Sequence, residues 1–304
     1  MAAGEIHIPG VLLLRGPRGD EIPLILDSPH SGSLFPDDFD TAVERNVLRR
    51  SEDCFVPELF SAVTAVGGYM LEALFPRTYL DLNRRADEID LAMIEGAWPL
   101  AQDPKSTSML RGSGLFWRTC YPDIPIYARK LRASEAESRI LTYYEPYHAR
   151  LADLIEDLRR RHEQIWHLDC HSMPTFSAGD KSPEGNGGSI RPMINLGDRN
   201  GTSCSEAFTT FLQSCFVDLG YETTINIPYN GAFLTSGYSN PVDGRHSIQV
   251  EVRRDLYMDE VGLLPNEGFA RLQSDLTRVL RRLRDWIAQM SSADRALGGC
   301  RERG

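Results

Sequence analysis

The 304-residue sequence predicts one α/β domain, a helix-covered sheet spanning residues 1–304, and three observations lead there. Short apolar runs of strand length alternate with longer segments of helical periodicity along the chain. No internal repeat and no linker-like change of composition divides it. With 41% hydrophobic and 25% charged residues, no region is polar enough to stay out of a core of this size.

In chain order, residues 5–26 read as a β-hairpin. Ile6, Ile8 and Val11 to Leu14 form one arm, Gly16-Pro17-Arg18-Gly19 the turn, and Ile22 to Leu26 the other. Between 40 and 66, Val43, Val47, Leu48, Phe55, Leu59, Phe60 and Val63 recur at helical spacing; Gly67-Gly68 ends the pattern and Pro57 implies a break near Asp53. Segments 69–74 and 79–82 read as strands. Residues 89–114, rich in Pro, Gly and Ser, are expected to form a long loop bordering a site.

Residues 124–162 carry helical periodicity interrupted near Pro146, with Leu151, Leu154, Ile155 and Leu158 on the buried face. A strand at 165–170 follows, then a flexible loop at 177–189. The Gly-Asn-Gly-Gly of that loop lacks the Lys-Ser/Thr of a phosphate-binding loop. The remainder reads as strand 192–196, helix 203–219, strand 223–227, a Gly/Asn/Ser/Pro loop at 228–241, an alternating strand 248–252 carrying Glu251, and an amphipathic helix 269–290.

The formal net charge is -10, which argues against nucleic acid or an acidic membrane surface as partner, because phosphate recognition needs a basic face. The six scattered cysteines form no C-x-x-C pair, and the apolar run at 11–14 is too short for a signal peptide core or a membrane span. Reduced thiols and a cytoplasmic location are expected.

Two of the seven histidines, His30 and His171, sit where apolar runs end, the position at which α/β enzymes keep their sites. A histidine beside a buried strand is ordinarily structural, but two in this context suggest a metal site, since neutral imidazole is a common zinc ligand. No His-Glu-x-x-His occurs, so a third ligand has to come from another segment. The acidic pair Glu52-Asp53 is the nearest, with helix capping as its plain alternative.

Glu251 is either an ion-paired strand residue sharing a face with Gln249 and Arg253, or a general base beside a metal. Arg77, Asn83, Arg84 and Arg85 form a dense group of donors suited to an acidic small molecule, or else pair with Asp81, Asp87 and Glu88.

Several segments together resemble the N-formylglutamate amidohydrolase (deformylase) family. They are Ser28-Pro29-His30-Ser31-Gly32, Glu52-Asp53, Arg77 through Asp81-Leu82-Asn83-Arg84, Asp169-Cys170-His171-Ser172, Leu196-Gly197-Asp198-Arg199, Pro228-Tyr229-Asn230-Gly231 and Gln249-Val250-Glu251. The resemblance implies a three-layer α/β/α sandwich with a central mixed sheet, similar to zinc carboxypeptidases and aspartoacylases. It implies one Zn2+ per chain on His30, His171 and a carboxylate, Asp53 with Glu52 as the alternative. By the same resemblance Glu251 is the base, Asn83 and Arg84 hold the carboxylates of a small acidic N-acyl amino acid with Arg77 as their partner or as an oxyanion stabiliser, and Asn230 contacts the substrate. The implied reaction releases formate from N-formyl-L-glutamate at the end of a histidine degradation route.

Overall fold

The structure, a computed structural model, describes residues 4–120, 123–177 and 188–301, with the side chains of the final helix followed through Ser291. Eight strands build one sheet: β1 (Ile6–Ile8), β2 (Leu12–Arg15), β3 (Leu24–Ser28), β4 (Tyr69–Ala73), β5 (Ile165–Met173), β6 (Ile194–Gly197), β7 (Thr223–Ile225) and β8 (Arg245–Arg253). Their spatial order is β1-β2-β4-β3-β5-β8-β6-β7. The central four, β4, β3, β5 and β8, are mutually parallel; β2 joins β4 and β6 joins β8 antiparallel. The sheet is therefore mixed, and its middle delivers several chain ends to one edge, where sites of parallel sheets form.

Helices cover both faces. Against one lie α1 (Ala133–Arg139) and α2 (Glu145–Arg159), joined through a π-helical turn at Ile140–Tyr144. Ile140, Leu151, Leu154, Ile155 and Leu158 pack there with Ile25 and Leu71 of the sheet. Against the other lie α3 (Glu206–Val217) and α5 (Phe269–Arg301), whose Phe208, Leu212, Leu276, Leu280 and Leu283 meet Leu24, Leu26, Leu168 and Val250. Strand neighbours alternate between the two cores, as a pleat of period two requires. The expected three-layer sandwich is what the chain forms.

Several elements differ from the sequence reading; among them, the helix read from 124 begins only at Ala133, after the short strands Ile124–Pro125 and Leu131–Arg132. The first hairpin pairs Ile6–Ile8 with Leu12–Arg15, while the segment containing Pro17 and Pro23 leads into β3, which pairs in parallel with β4 and β5 instead. The 40–66 helix breaks into short pieces, Arg45–Leu48 and Val56–Leu59 among them, with Phe55 at φ 65 between them and Pro57 opening the second. Residues 79–82 form buried turns rather than a strand. There the Asp81 carboxylate accepts the Asn83 backbone N–H at 2.9 Å, a local bond that competes with ladder pairing. The 228–241 loop holds a short helix, α4 (Phe233–Gly237). Of the flexible loop expected at 177–189, residues 178–187 lie outside the described residues.

Candidate active site

The register of β3, β5 and β8 assembles the site. Asp27 pairs with Asp169, Asp169 with Gln249, and His171 with Glu251. Residues two apart share a face, so His167, Asp169 and His171 form a polar row beside Ser247, Gln249 and Glu251, while Trp166, Leu168, Cys170, Ile248 and Val250 enter the opposite core. Such a row is stable only where its groups are hydrogen-bonded. At its lower end His167 bridges Ser247 Oγ (2.8 Å) and Asp27 Oδ1 (3.0 Å), with Tyr147 donating to Asp27 Oδ2 at 3.0 Å. Asp27, His167 and Ser247 are at most 2% exposed, which makes this serine–histidine–aspartate chain a tie across three strands.

At the upper end three ligand-type atoms converge. His30 occupies the turn after β3, and its carbonyl accepts the Asp53 N–H at 3.0 Å, while Ser31 Oγ donates to the Asp53 carbonyl at 2.7 Å. Two candidate ligands are thus tied by neighbouring backbone. The Nδ1 atoms of His30 and His171 are 3.0 Å apart; Asp53 Oδ2 lies 3.1 Å from the second and 3.5 Å from the first. Each imidazole is gripped at Nε2 by its own buried carboxylate, His30 by Asp81 Oδ1 at 2.7 Å and His171 by Asp169 Oδ1 at 2.6 Å. An imidazole donating its Nε2–H to a carboxylate presents the Nδ1 lone pair, the outer arrangement typical of metal-ligating histidines.

Two nitrogens and one oxygen, all buried and within 4.8 Å of one another, fit a divalent ion of zinc's ligand preference. Burial works against the Asp53 charge, but the hydrogen bonds of His171 and His30 and the Arg254 guanidinium hold its carboxyl well below the usual range. Burial also works against a charged His171, yet Asp169 and the bond to Asp53 raise its pKa.

Asp53 is the carboxylate that joins the histidines, and the alternative, Glu52, does not. Glu52 is extended (φ -74, ψ 146), so its side chain leaves on the opposite side of the chain from Asp53's. It accepts from Arg49 Nε at 3.0 Å and lines a separate, smaller cavity with Cys54 and Glu72.

The segment 77–84 forms one wall. Arg77 donates from Nε (3.2 Å) and Nη2 (2.9 Å) to Asp81 Oδ2, and its guanidinium sits 4.8 Å from the centre of the Trp117 ring. Arg77 Nη1 makes no hydrogen bond among the described residues, and Arg77 lines the cavity. Arg84 is fixed by the Ser113 and Asn83 carbonyls, both at 2.9 Å, and its own carbonyl accepts from Tyr144 of the π-helical turn. Asn83 is fully engaged inside the protein: Nδ2 donates to Asp169 Oδ2 at 2.9 Å and Oδ1 accepts from the Leu234 N–H at 2.7 Å. Its geometry is that of a strut between Asp169 and α4. Arg85, by contrast, is spent on Asp87 and Asp103 at the surface.

Glu251 borders the same cavity, of about 1380 Å³, together with His30, Asp53, His171, Arg77, Arg84 and Asn230. Burial pushes its carboxyl up to about 7, against the pull of His171 and with a further push from Asp53. The ion-pair alternative is not realised, because Arg253 bonds Asp255 and the Arg191 carbonyl. Gln249 Nε2 donates to Glu251 Oε1 at 2.7 Å instead, fixing one oxygen. Asn230 is exposed at the cavity rim, and the turn that carries it is seated on Gly197, where an added Cβ would lie 2.6 Å from the Gly231 nitrogen.

Sequence reasoning gave no part to Asp81 and Asp169 as histidine supports, to Gln249 as the partner of the base, or to Arg254. Arg254 is buried and donates to Asp53 Oδ1 (2.9 Å), Ser172 Oγ (3.1 Å) and the Arg50 carbonyl (2.9 Å). The Asp-x-His and Gln-x-Glu spacings carried part of this signal, since i and i+2 on a strand share a face.

The family profile described as N-formylglutamate amidohydrolase matches residues 22–258. An N-formylglutamate deformylase of Pseudomonas putida is 27% identical over 243 residues, covering 79% of this chain and 83% of that protein. One from Pseudomonas aeruginosa is 28% identical over 244 residues, with the same coverage. A crystal structure of N-formylglutamate amidohydrolase from Ralstonia eutropha JMP134 superposes with a TM-score of 0.86 at 39% identity, covering 92% of this chain and 99% of that one. The matched stretch holds His30, Asp53, His171 and Glu251 and the wall formed by 77–84, and on it the chain belongs to the N-formylglutamate amidohydrolase family.

Proposed function

We propose that this chain hydrolyses the formyl amide of N-formyl-L-glutamate, giving formate and L-glutamate, with one Zn2+ per chain on His30, Asp53 and His171. What carries the reading is the convergence of those three buried ligand atoms beside the buried carboxyl of Glu251, in one cavity lined by arginines. We further propose that this reaction closes a histidine degradation route and takes place in the cytoplasm.

A bound divalent ion supplies Lewis acidity there. Glu251 accepts a proton from the attacking water as the new C–O bond forms at the formyl carbon, and passes it to the glutamate nitrogen as the C–N bond breaks. Burial raises its pKa above the ordinary carboxylate value, which strengthens it as a proton acceptor. Arg77 directs Nη1 to the developing oxyanion; one such donor is worth about 3–4 kcal/mol. Arg84 holds the carboxylate next to the scissile amide, Asn83 keeps Asp169 and α4 in place, and Asn230 contacts the substrate at the rim.

Formate release from a panel of N-formyl-L-glutamate, N-formyl-L-aspartate, N-acetyl-L-glutamate (followed as acetate) and formimino-L-glutamate (followed as formamide) tests the assignment. The first is expected to exceed the others in kcat/KM by at least about tenfold, a difference of ~1.4 kcal/mol. Equal rates on all would remove the named substrate. Glu251→Gln is expected to lower kcat by roughly 10²–10⁴-fold, and full activity in it would remove the base.

A further inference from the structure

Arg191 lies three residues before β6 and lines the same cavity as His30, Asp53 and Glu251. Its backbone is fixed: the N–H donates to the Thr175 carbonyl at 2.9 Å, and its carbonyl accepts from Arg253 Nη1 at 2.6 Å. Its side chain is arranged differently from those of the other buried or half-buried arginines of the cavity. Arg77 is bound to Asp81, Arg84 to two carbonyls, Arg199 to the Gly231 carbonyl, and Arg254 to Asp53. The Arg191 guanidinium stands 5.3 Å from the centre of the Tyr229 ring, and its Nε and Nη1, shielded from water, have no hydrogen-bond partner among the described residues.

Shielded cationic donors without an acceptor are costly, and an aromatic face offsets only part of that cost. Nε and Nη1 face different edges of the guanidinium, so each can give one hydrogen bond to a carboxylate, whose charge pairs with the cation. Its place in the cavity says which carboxylate. Arg84 lies 4.0 Å from Asp81 Oδ2, and Asp81 holds His30, so Arg84 adjoins the metal ligands. Arg191 is tied by its backbone to Thr175 and Arg253, which follow His171 by four residues and Glu251 by two, so it stands further out along the ends of β5 and β8. The carboxylate bound next to the scissile nitrogen belongs with Arg84, and the more distant one with Arg191.

We infer that Arg191, backed by Tyr229, is the specificity residue that binds the side-chain carboxylate of the substrate and so selects N-acyl dicarboxylic amino acids. This rests on the deformylase reading for its substrate but not for its chemistry.

Steady-state kinetics of the wild-type chain and of Arg191→Gln and Arg191→Lys, each with N-formyl-L-glutamate and N-formyl-L-glutamine, test it, with direct titration of glutarate alongside. Wild type is expected to prefer the glutamate compound by roughly 10- to 100-fold, the worth of hydrogen bonds to a charged group. In Arg191→Gln that preference collapses, chiefly through a raised KM for N-formylglutamate, while the N-formylglutamine rate stays within about threefold. Arg191→Lys restores part of it. Equal losses on both substrates, or an unchanged preference, would overturn the inference. Glutarate has two carboxylates and no scissile bond, so it separates the two readings. A wild type that releases no formate yet binds glutarate at least about tenfold more tightly than Arg191→Gln sinks the deformylase reading and keeps Arg191. Equal glutarate affinity in the two chains sinks the role of Arg191, whatever the turnover.

Discussion

Asp81→Asn tests how the site is held. Asp81 is fully buried, and its two oxygens serve five donors: Oδ1 takes His30 Nε2 (2.7 Å) and the Asn83 N–H (2.9 Å), while Oδ2 takes Arg77 Nε (3.2 Å), Arg77 Nη2 (2.9 Å) and Trp117 Nε1 (3.0 Å). Asparagine keeps the shape and one acceptor, so His30 and Asn83 retain a partner. The new amide NH2 then faces three donors, and the Arg77 charge loses its counterion. Removing one partner of a buried pair costs about 3–5 kcal/mol. The Arg77 side chain is 16% exposed, so water recovers some of that and about 3 kcal/mol of lost stability is expected. Weakening the carboxylate behind a ligating histidine lowers metal affinity by about 10- to 100-fold. Urea unfolding and competition for Zn2+ against a chromophoric chelator measure the two effects separately. A variant with wild-type stability and with metal affinity within about twofold would refute the view that Asp81 holds both Arg77 and His30.

Three further outcomes follow from the same contacts. Glu251, raised to about 7 by burial, acts as a base only when ionised, so kcat/KM is expected to be lost as pH falls through its midpoint, and a bound cation draws that midpoint below 7. Gln249→Leu removes the donor to its Oε1, and the acid limb is expected to move upward; no movement or a downward one contradicts the assignment. Gly197→Ala forces a methyl against the Gly231 nitrogen and the Asn230 carbonyl carbon (2.6 and 2.8 Å), so about 1–3 kcal/mol of destabilisation and a raised KM are expected from melting curves and kinetics. Burial raises the thiols of Cys54 and Cys215 to about 11 and of Cys204 to about 12, and Cys120 and Cys170 are raised too. Native Cys300→Ser protein at pH 8 is therefore expected to react with a disulfide reagent only on the timescale of unfolding. Fast reaction of any of the five would contradict their burial.

The sandwich was legible because its signal is periodic: runs such as 24–26 and 165–170 read as strands without knowledge of their neighbours, and 145–159 carries a clear helical stripe. Residues 79–82 misled because Tyr79, Leu80 and Leu82 are as buried as any strand, while the backbone there obeys the Asp81 side chain. The same limit governed the site. His30, His171 and Glu251 stood out as polar groups at the ends of apolar runs, but which of Glu52 and Asp53 turns inward depends on one extended residue, which composition does not reveal. Asp81 and Arg254 were illegible for a related reason, since each reaches its metal-ligand partner, His30 or Asp53, across more than 50 positions of sequence. Arg191 carries no local pattern at all; it stands out only once its neighbours are seen to lack an acceptor for it.

The central claim is that His30, Asp53 and His171 are ligands of one ion. Metal content per chain, measured after zinc reconstitution and dialysis of the wild type and of His30→Ala, Asp53→Ala and His171→Ala, tests it most directly. The account predicts about one equivalent in the wild type and less than about a tenth in each folded variant, in keeping with a three-ligand site losing one ligand. Equal zinc in all four proteins, or none in the wild type, would contradict it.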